Sequence, residues 1–166
     1  MMEELKWVLV TGACGGMGRA GTLEFIKRGY KITAVDGSKE LANAASKIIG
    51  QQVICSKFED LKLTETFDGI WASASLLHVN KNKIVDVIKN VSSNLKPNGV
   101  FYMSFKYGEN EYIDEKGRYF NCYTEETFKE MLSQVQNLKI KTIYKSGDTL
   151  GGRNNLVWLN ITLDIR

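Results

Sequence analysis

From Lys6 to Asp36 the chain reads "KWVLVT", a turn "GACGG", then "MGRAGTLEFIKRG" and "KITAVD". A β-branched run, a glycine-rich turn, one amphipathic stretch closed by Gly29 and a second β-branched run make a βαβ unit. Its strands are parallel and its crossover right-handed, because a twisted strand feeding a right-handed helix returns to its sheet only that way. The alternation continues. "SKELANAASKIIG" is a helix with Ser38 as N-cap and Gly50 as stop, and "QQVICS" and "FDGIWASA" are the third and fourth strands. "KNKIVDVIKNVSSNL" is a helix that "KPNG" terminates, and "VFYMSFKY" is the fifth strand, followed by a polar loop, "GENEYIDEKGRYFNCY". "TEETFKEMLSQV" is a helix with a Thr124 to Thr127 start, where Glu126 sits one short of a strict capping box. "LKIKTIYKS" and "LVWLNITLDI", joined by the short "GDTLGGRNN", read as an antiparallel pair. The expected architecture is a Rossmann-like three-layer α/β sandwich. Its sheet is mostly parallel and seven-stranded, with an antiparallel C-terminal hairpin.

A chain of 166 residues with 43% hydrophobic and 25% charged residues suits one domain, residues 1–166, with a sizeable core. The net charge of +3 is spread over Lys27, Arg28, Lys81, Lys83, Lys139 and Lys141. Scattered charge of this kind is a solvated surface and argues against a nucleic-acid partner. No apolar run reaches the ~20 residues that cross a bilayer, and no signal peptide opens the chain. Cys14, Cys55 and Cys122 are odd in number and lack a C-x-x-C pair, which points to a reducing cytoplasm rather than a disulfide framework or zinc site. Cys55 reads as a small buried hydrophobe.

The first turn carries Thr11, Gly12, Gly16 and Gly18 in the spacing T-G-x-x-x-G-x-G. Glycines let the backbone turn sharply and approach a phosphate, and the following helix offers N–H groups and a positive dipole end. Thr11, Gly12, Gly15, Gly16, Met17 and Gly18 thus form a candidate diphosphate cradle. Asp36 lies 18 residues past Gly18, near the ~20 expected of an acid that binds ribose hydroxyls. It would repel a 2′-phosphate, so NAD is favoured over NADP. Residues 8–21 resemble the nucleotide loop of the short-chain dehydrogenases. "YMSFK" also has that family's Y-x-x-x-K spacing in Tyr102 and Lys106. That pair needs a helix, however, and on a strand the two residues stand roughly 13 Å apart.

Six further blocks run from about Gly29 to Asn160: "GYKITAVDGS", "KFEDL", "FDGIWASASLLHV", "LKPNGVFYMSFKYGE", "GRYFNCYTEETF" and "RNNLVWLNI". In this order they resemble the small class I S-adenosylmethionine-dependent methyltransferases. The resemblance implies that Asp36 binds the ribose of the adenosyl group, flanked by Gly37 and Ser38. Phe58 and Glu59 would line the adenine, with Ala72, Ser73 and Ala74 at the mouth of strand four. It also turns Tyr107, Arg118, Phe120, Tyr123 and Arg153 toward a small-molecule substrate, with either arginine available to grip an anion. His78, the only histidine, follows strand four and serves either as a base or as an anchor for its turn.

The chain departs from that family in two ways. Strand one ends in Val10 and Thr11 rather than an acid, and the N-terminal lid helix is absent. Together with the dehydrogenase-like loop, these departures imply a chimera, natural or engineered. They favour NAD as cofactor, held with little or no turnover. The alternative is an active S-adenosylmethionine-dependent methyltransferase.

Overall fold

The protein is described by a computed structural model covering residues 5–148 and 155–166. Strands β1 (Trp7–Thr11), β2 (Lys31–Asp36), β3 (Ile54–Cys55), β4 (Phe67–Ala72) and β5 (Leu95–Lys106) alternate with helices α1 (Gly16–Lys27), α2 (Lys39–Ile49) and α3 (Ile84–Ser92). Then come β6 (Glu111–Ile113), β7 (Tyr119–Asn121), α4 (Glu125–Leu132), β8 (Leu138–Gly147) and β9 (Val157–Ile165). Seven strands form one sheet in the order β3-β2-β1-β4-β5-β9-β8. The first five are parallel, and β9 is antiparallel to both β5 and β8. This is the architecture that the alternation of strand and helix implies.

Helices cover both faces, so the central strands are apolar on both sides. Val8 and Val10 of β1 pack with Ile32, Ala34 and the α2 residues Ala42 and Ala45. Leu9 points the other way, into a larger core with Phe67, Phe101, Met103 and Phe105. That core is roofed by Ile84, Val87, Ile88 and Val91 of α3 and by Phe128, Met131 and Leu132 of α4. Caps set the helix ends as the residues demand. The Ser38 hydroxyl accepts the Leu41 N–H, and Gly50 closes α2 in the left-handed conformation (φ 71°). At α4 the reciprocal box is made by Thr124 and Thr127, so a threonine hydroxyl does the work of the usual glutamate.

Three local expectations fail. The loop after β5 is not irregular: β6 and β7 pair as a small separate hairpin. Its turn is built by Asp114, whose Oδ1 accepts the N–H groups of Lys116 and Arg118, with Gly117 at φ 75°. "KPNG" does not stand outside the strand. β5 begins at Leu95, pairs with Phe67 and resumes at Gly69 after a register shift, with Asn98 absorbing the kink at φ 64°. Cys55 is exposed rather than buried, because β3 is a two-residue edge strand paired only with β2. Among the described residues no helix is long and apolar enough to cross a membrane.

Candidate active site

The strand order reverses between β1 and β4, and a crevice outside the C-terminal ends of these strands is where open α/β sheets hold ligands. Gly12 leaves β1 in the left-handed conformation (φ 61°), and a Cβ there would sit 2.8 Å from the Ser75 Cβ. A Cβ on Gly18 would lie 1.9 Å from the Gly12 carbonyl oxygen. Gly18 therefore answers to the packing of α1 on its own turn and presents no side to a ligand. Gly15 and Gly16 are exposed, and a Cβ on Gly16 would meet nothing within 4 Å. Gly15 caps α1 without a side-chain bond, and the first turn holds no acid. No acid of α1's own first turn takes its N–H groups, which leaves them to a carboxylate or a phosphate.

Asp36 ends β2 and is buried. Its Oδ2 accepts the Cys14 N–H at 3.2 Å and its Oδ1 the Ser38 N–H at 3.0 Å. The Cys14 thiol also hydrogen-bonds this carboxylate, so of its about four lone-pair sites one stays open to a ribose hydroxyl. The same carboxylate ties the glycine turn to the start of α2. Burial and Asp36 together push the Cys14 thiol up to about 12, so this cysteine is no thiolate nucleophile. The Asp36 carbonyl accepts the Ser56 N–H, which draws the next segment alongside. There Phe58 and Glu59 line a cleft of about 710 Å³ with Asp60, Lys83 and Asn90. Gly37 is exposed between these parts.

At the mouth of β4 the three candidates divide. Ala72 is fully buried in the core and offers its side chain to no ligand. The Ser73 hydroxyl contacts the Met17 sulfur at 3.7 Å, linking β4 to the first turn of α1. Ala74 takes a left-handed conformation (φ 48°), and the Ser104 hydroxyl of β5 accepts its N–H at 2.8 Å. A non-glycine residue held in this region is strained, and such strain clusters at functional sites. Thr11 is buried and bonds the Ser75 hydroxyl at 2.7 Å. Ser75 and Ser104 were not legible as site residues, since only the fold brings them to β1 and β4.

On the substrate side, His78 ends a 3-10 turn after β4 and its Nδ1 bonds the Tyr119 carbonyl at 2.8 Å. A carbonyl can only accept, so Nδ1 carries the proton and Nε2 keeps a lone pair. His78 is exposed at the surface, yet partial desolvation of its ring holds the pKa below its ordinary value despite the Tyr119 bond, and the Arg118 and Lys106 charges push the same way. Two expected substrate contacts are corrected. Tyr123 is a core residue, 3% exposed, packed edge-on against Phe105 and Phe128. Arg118 is held by Asp114 through Nε at 2.9 Å and Nη2 at 2.7 Å, so its fork is already filled. Arg153 lies outside the described residues. Tyr102 and Lys106 share strand β5, and the Tyr102 hydroxyl donates to Asn160 at 2.8 Å. They form no catalytic dyad.

Comparison with solved structures agrees with this layout. A 1,6-didemethyltoxoflavin-N1-methyltransferase from Burkholderia thailandensis, with bound 1,6-didemethyltoxoflavin and S-adenosylhomocysteine, aligns with a TM-score of 0.77 at 21% identity, covering 96% of this chain and 70% of that one. An S-adenosylmethionine-dependent methyltransferase from Methanosarcina mazei gives 0.78 at 18% identity, covering 98% and 93%. A third, from Clostridium acetobutylicum, gives 0.74 at 15%, covering 95% and 83%. At these identities the likeness establishes the fold. No curated protein matches the chain. The family model described as "Methyltransferase domain" matches residues 11–103, from the end of β1 to the middle of β5. That span is more than half of the sequence and includes the glycine turn, Asp36 and the β4 mouth, so the chain belongs to the methyltransferase-domain family.

Proposed function

We propose that this protein transfers a methyl group from S-adenosylmethionine to a small-molecule acceptor. The sheet order carries the reading. A dinucleotide fold continues past its fifth strand with a further parallel strand and so builds a second mononucleotide half. Here the place beside β5 is taken by antiparallel β9, so the half that would receive the second nucleotide of NAD lacks its last parallel strand. The family match and the S-adenosylmethionine-dependent neighbours favour the same cofactor. The glycine spacing, which first suggested NAD, is partly accounted for by the contact of Gly18 with Gly12.

Bound S-adenosylmethionine supplies an electrophilic methyl group on a sulfonium. Asp36 would accept from a ribose hydroxyl, and the N-terminus of α1 would hold the amino-acid carboxylate. Phe58 and Glu59 would flank the adenine. His78 would take the acceptor's proton at Nε2, the nitrogen that its Tyr119 bond leaves unprotonated. Positioning does most of the remaining work, since an in-line displacement at a methyl group asks for little else.

Calorimetric titration with S-adenosylhomocysteine, S-adenosylmethionine and NAD tests the cofactor. The first two should bind, and NAD at least tenfold more weakly. Binding of NAD alone would restore the dehydrogenase-loop reading.

The His78 geometry has its own signature. Its folded pKa lies below the ordinary value, so the unfolded chain binds the proton more readily. Stability should therefore be complete above the unfolded value, about 6.5, and fall as pH drops through the folded value. Urea unfolding between pH 8 and pH 5 should show this loss in the wild type and less of it in His78→Asn, whose amide can still donate to the Tyr119 carbonyl. Parallel curves for the two proteins would mean that the ring is not desolvated.

A further inference from the structure

Lys106 is the last residue of β5. It stands two residues beyond Ser104, hence roughly 7 Å further along the same face of the strand, and Ser104 holds the β4 mouth at Ala74. Its ammonium lies 3.7 Å from the centre of the Phe120 ring and donates to the Tyr112 hydroxyl at 2.7 Å. Among the described residues it has no carboxylate partner. The neighbouring acids are engaged: Asp114 holds Arg118, and Glu111 accepts from the Tyr119 hydroxyl. Lys81, the other nearby ammonium, donates to the Glu109 carbonyl at 3.0 Å. Aromatic faces attract a cation but only partly replace a counter-ion.

Two stacked rings flank this ammonium. Tyr112 stacks on Phe120 with centroids 5.1 Å apart and planes 13° from parallel. Phe120 is 5% exposed and Tyr112 39%, which leaves Tyr112 ring surface open to a further ring. His78 packs against that same Phe120 at 4.8 Å. The unpaired cation, an open aromatic surface and the candidate base thus adjoin a single ring.

We propose that Lys106 selects the methyl acceptor, and that the acceptor is a planar aromatic compound carrying a carboxylate. The ring extends the Phe120–Tyr112 stack, and the carboxylate completes Lys106. This rests on the methyltransferase reading for its purpose but not for its test. Benzoate and its neutral isostere benzamide are the probes, titrated by NMR into labelled protein with and without saturating S-adenosylhomocysteine. Benzoate should shift the amides of Lys106, Tyr112 and Phe120 and bind at least tenfold more tightly than benzamide. Lys106→Met should abolish that preference and leave S-adenosylhomocysteine affinity and melting temperature unchanged, and Lys106→Arg should restore most of it. Equal binding of the two probes, no binding of benzoate, or a preference that survives in Lys106→Met would overturn the proposal. Failure of S-adenosylhomocysteine to bind would instead strike the cofactor reading, and the probe comparison in the unloaded protein would still judge Lys106.

Discussion

Gly18→Ala is expected to destabilise the protein by about 3 kcal/mol or more, the upper end of what overpacking does. The added methyl would sit 1.9 Å from the Gly12 carbonyl oxygen and 2.7 Å from its carbon. Both are backbone atoms, which cannot swing aside as a long side chain can. In a domain of this size each kcal/mol shifts the midpoint by roughly 2–4 °C, so thermal unfolding should fall by about 6–12 °C. Gly16→Ala, two residues away with open space around its Cβ, should stay within about 0.5 kcal/mol or gain slightly by restricting the unfolded chain. A pair of equal midpoints would show that α1 does not rest on the Gly12 carbonyl. The contrast also bears on ligand binding, because lost affinity in Gly18→Ala would report a damaged turn rather than a blocked phosphate.

The second large effect belongs to Asp36. Asp36→Ala should weaken S-adenosylhomocysteine by roughly ten- to a hundredfold, the worth of about 1.5–3 kcal/mol for a charge-assisted hydrogen bond to the ribose. It also leaves the Cys14 and Ser38 N–H groups without their acceptor, so a fall in melting temperature should accompany the lost affinity. Asp36→Asn is expected to recover little. Each carboxylate oxygen faces a backbone N–H, so an amide must set its own NH₂ donor against one of them. Calorimetry on both variants decides the matter, and undiminished affinity in Asp36→Ala would place the ribose elsewhere.

Much of this site could be read along the chain, because the information is local. Asp36 was marked by its place at the end of a β-branched strand, and the Ser38 and Thr124 caps by residue type beside a helix. Other features depend on contacts that no spacing encodes. The glycine pattern was read as one phosphate device, whereas Gly18 is fixed by a carbonyl six residues earlier in sequence and only the folded turn brings them together. Tyr123 looked like a surface aromatic in a polar stretch, yet the Tyr107–Tyr123 bridge turns it into the core. Arg118 was offered as an anion grip although Asp114, one helical turn's spacing earlier, was present to claim it. Lys106 drew attention only as half of a false Y-x-x-x-K pair. Its interest comes from a missing partner, and absence of a partner is visible only in three dimensions.

The position of β9 bears on how the molecule assembles. It follows β8 in the chain but lies between β5 and β8, pairing Val100 with Asp164 and Leu138 with Ile165 at its far end. Until β9 arrives, β8 has no neighbour and the long β5 presents an open edge of the kind that recruits foreign strands. Closing this gap joins residues distant in sequence, a kind of pairing that costs loop-closure entropy before it is rewarded. The interval before it is when the chain is most exposed to intermolecular pairing. A substitution that weakens β9 would then show itself first as poor recovery of soluble protein, before any defect in the folded molecule.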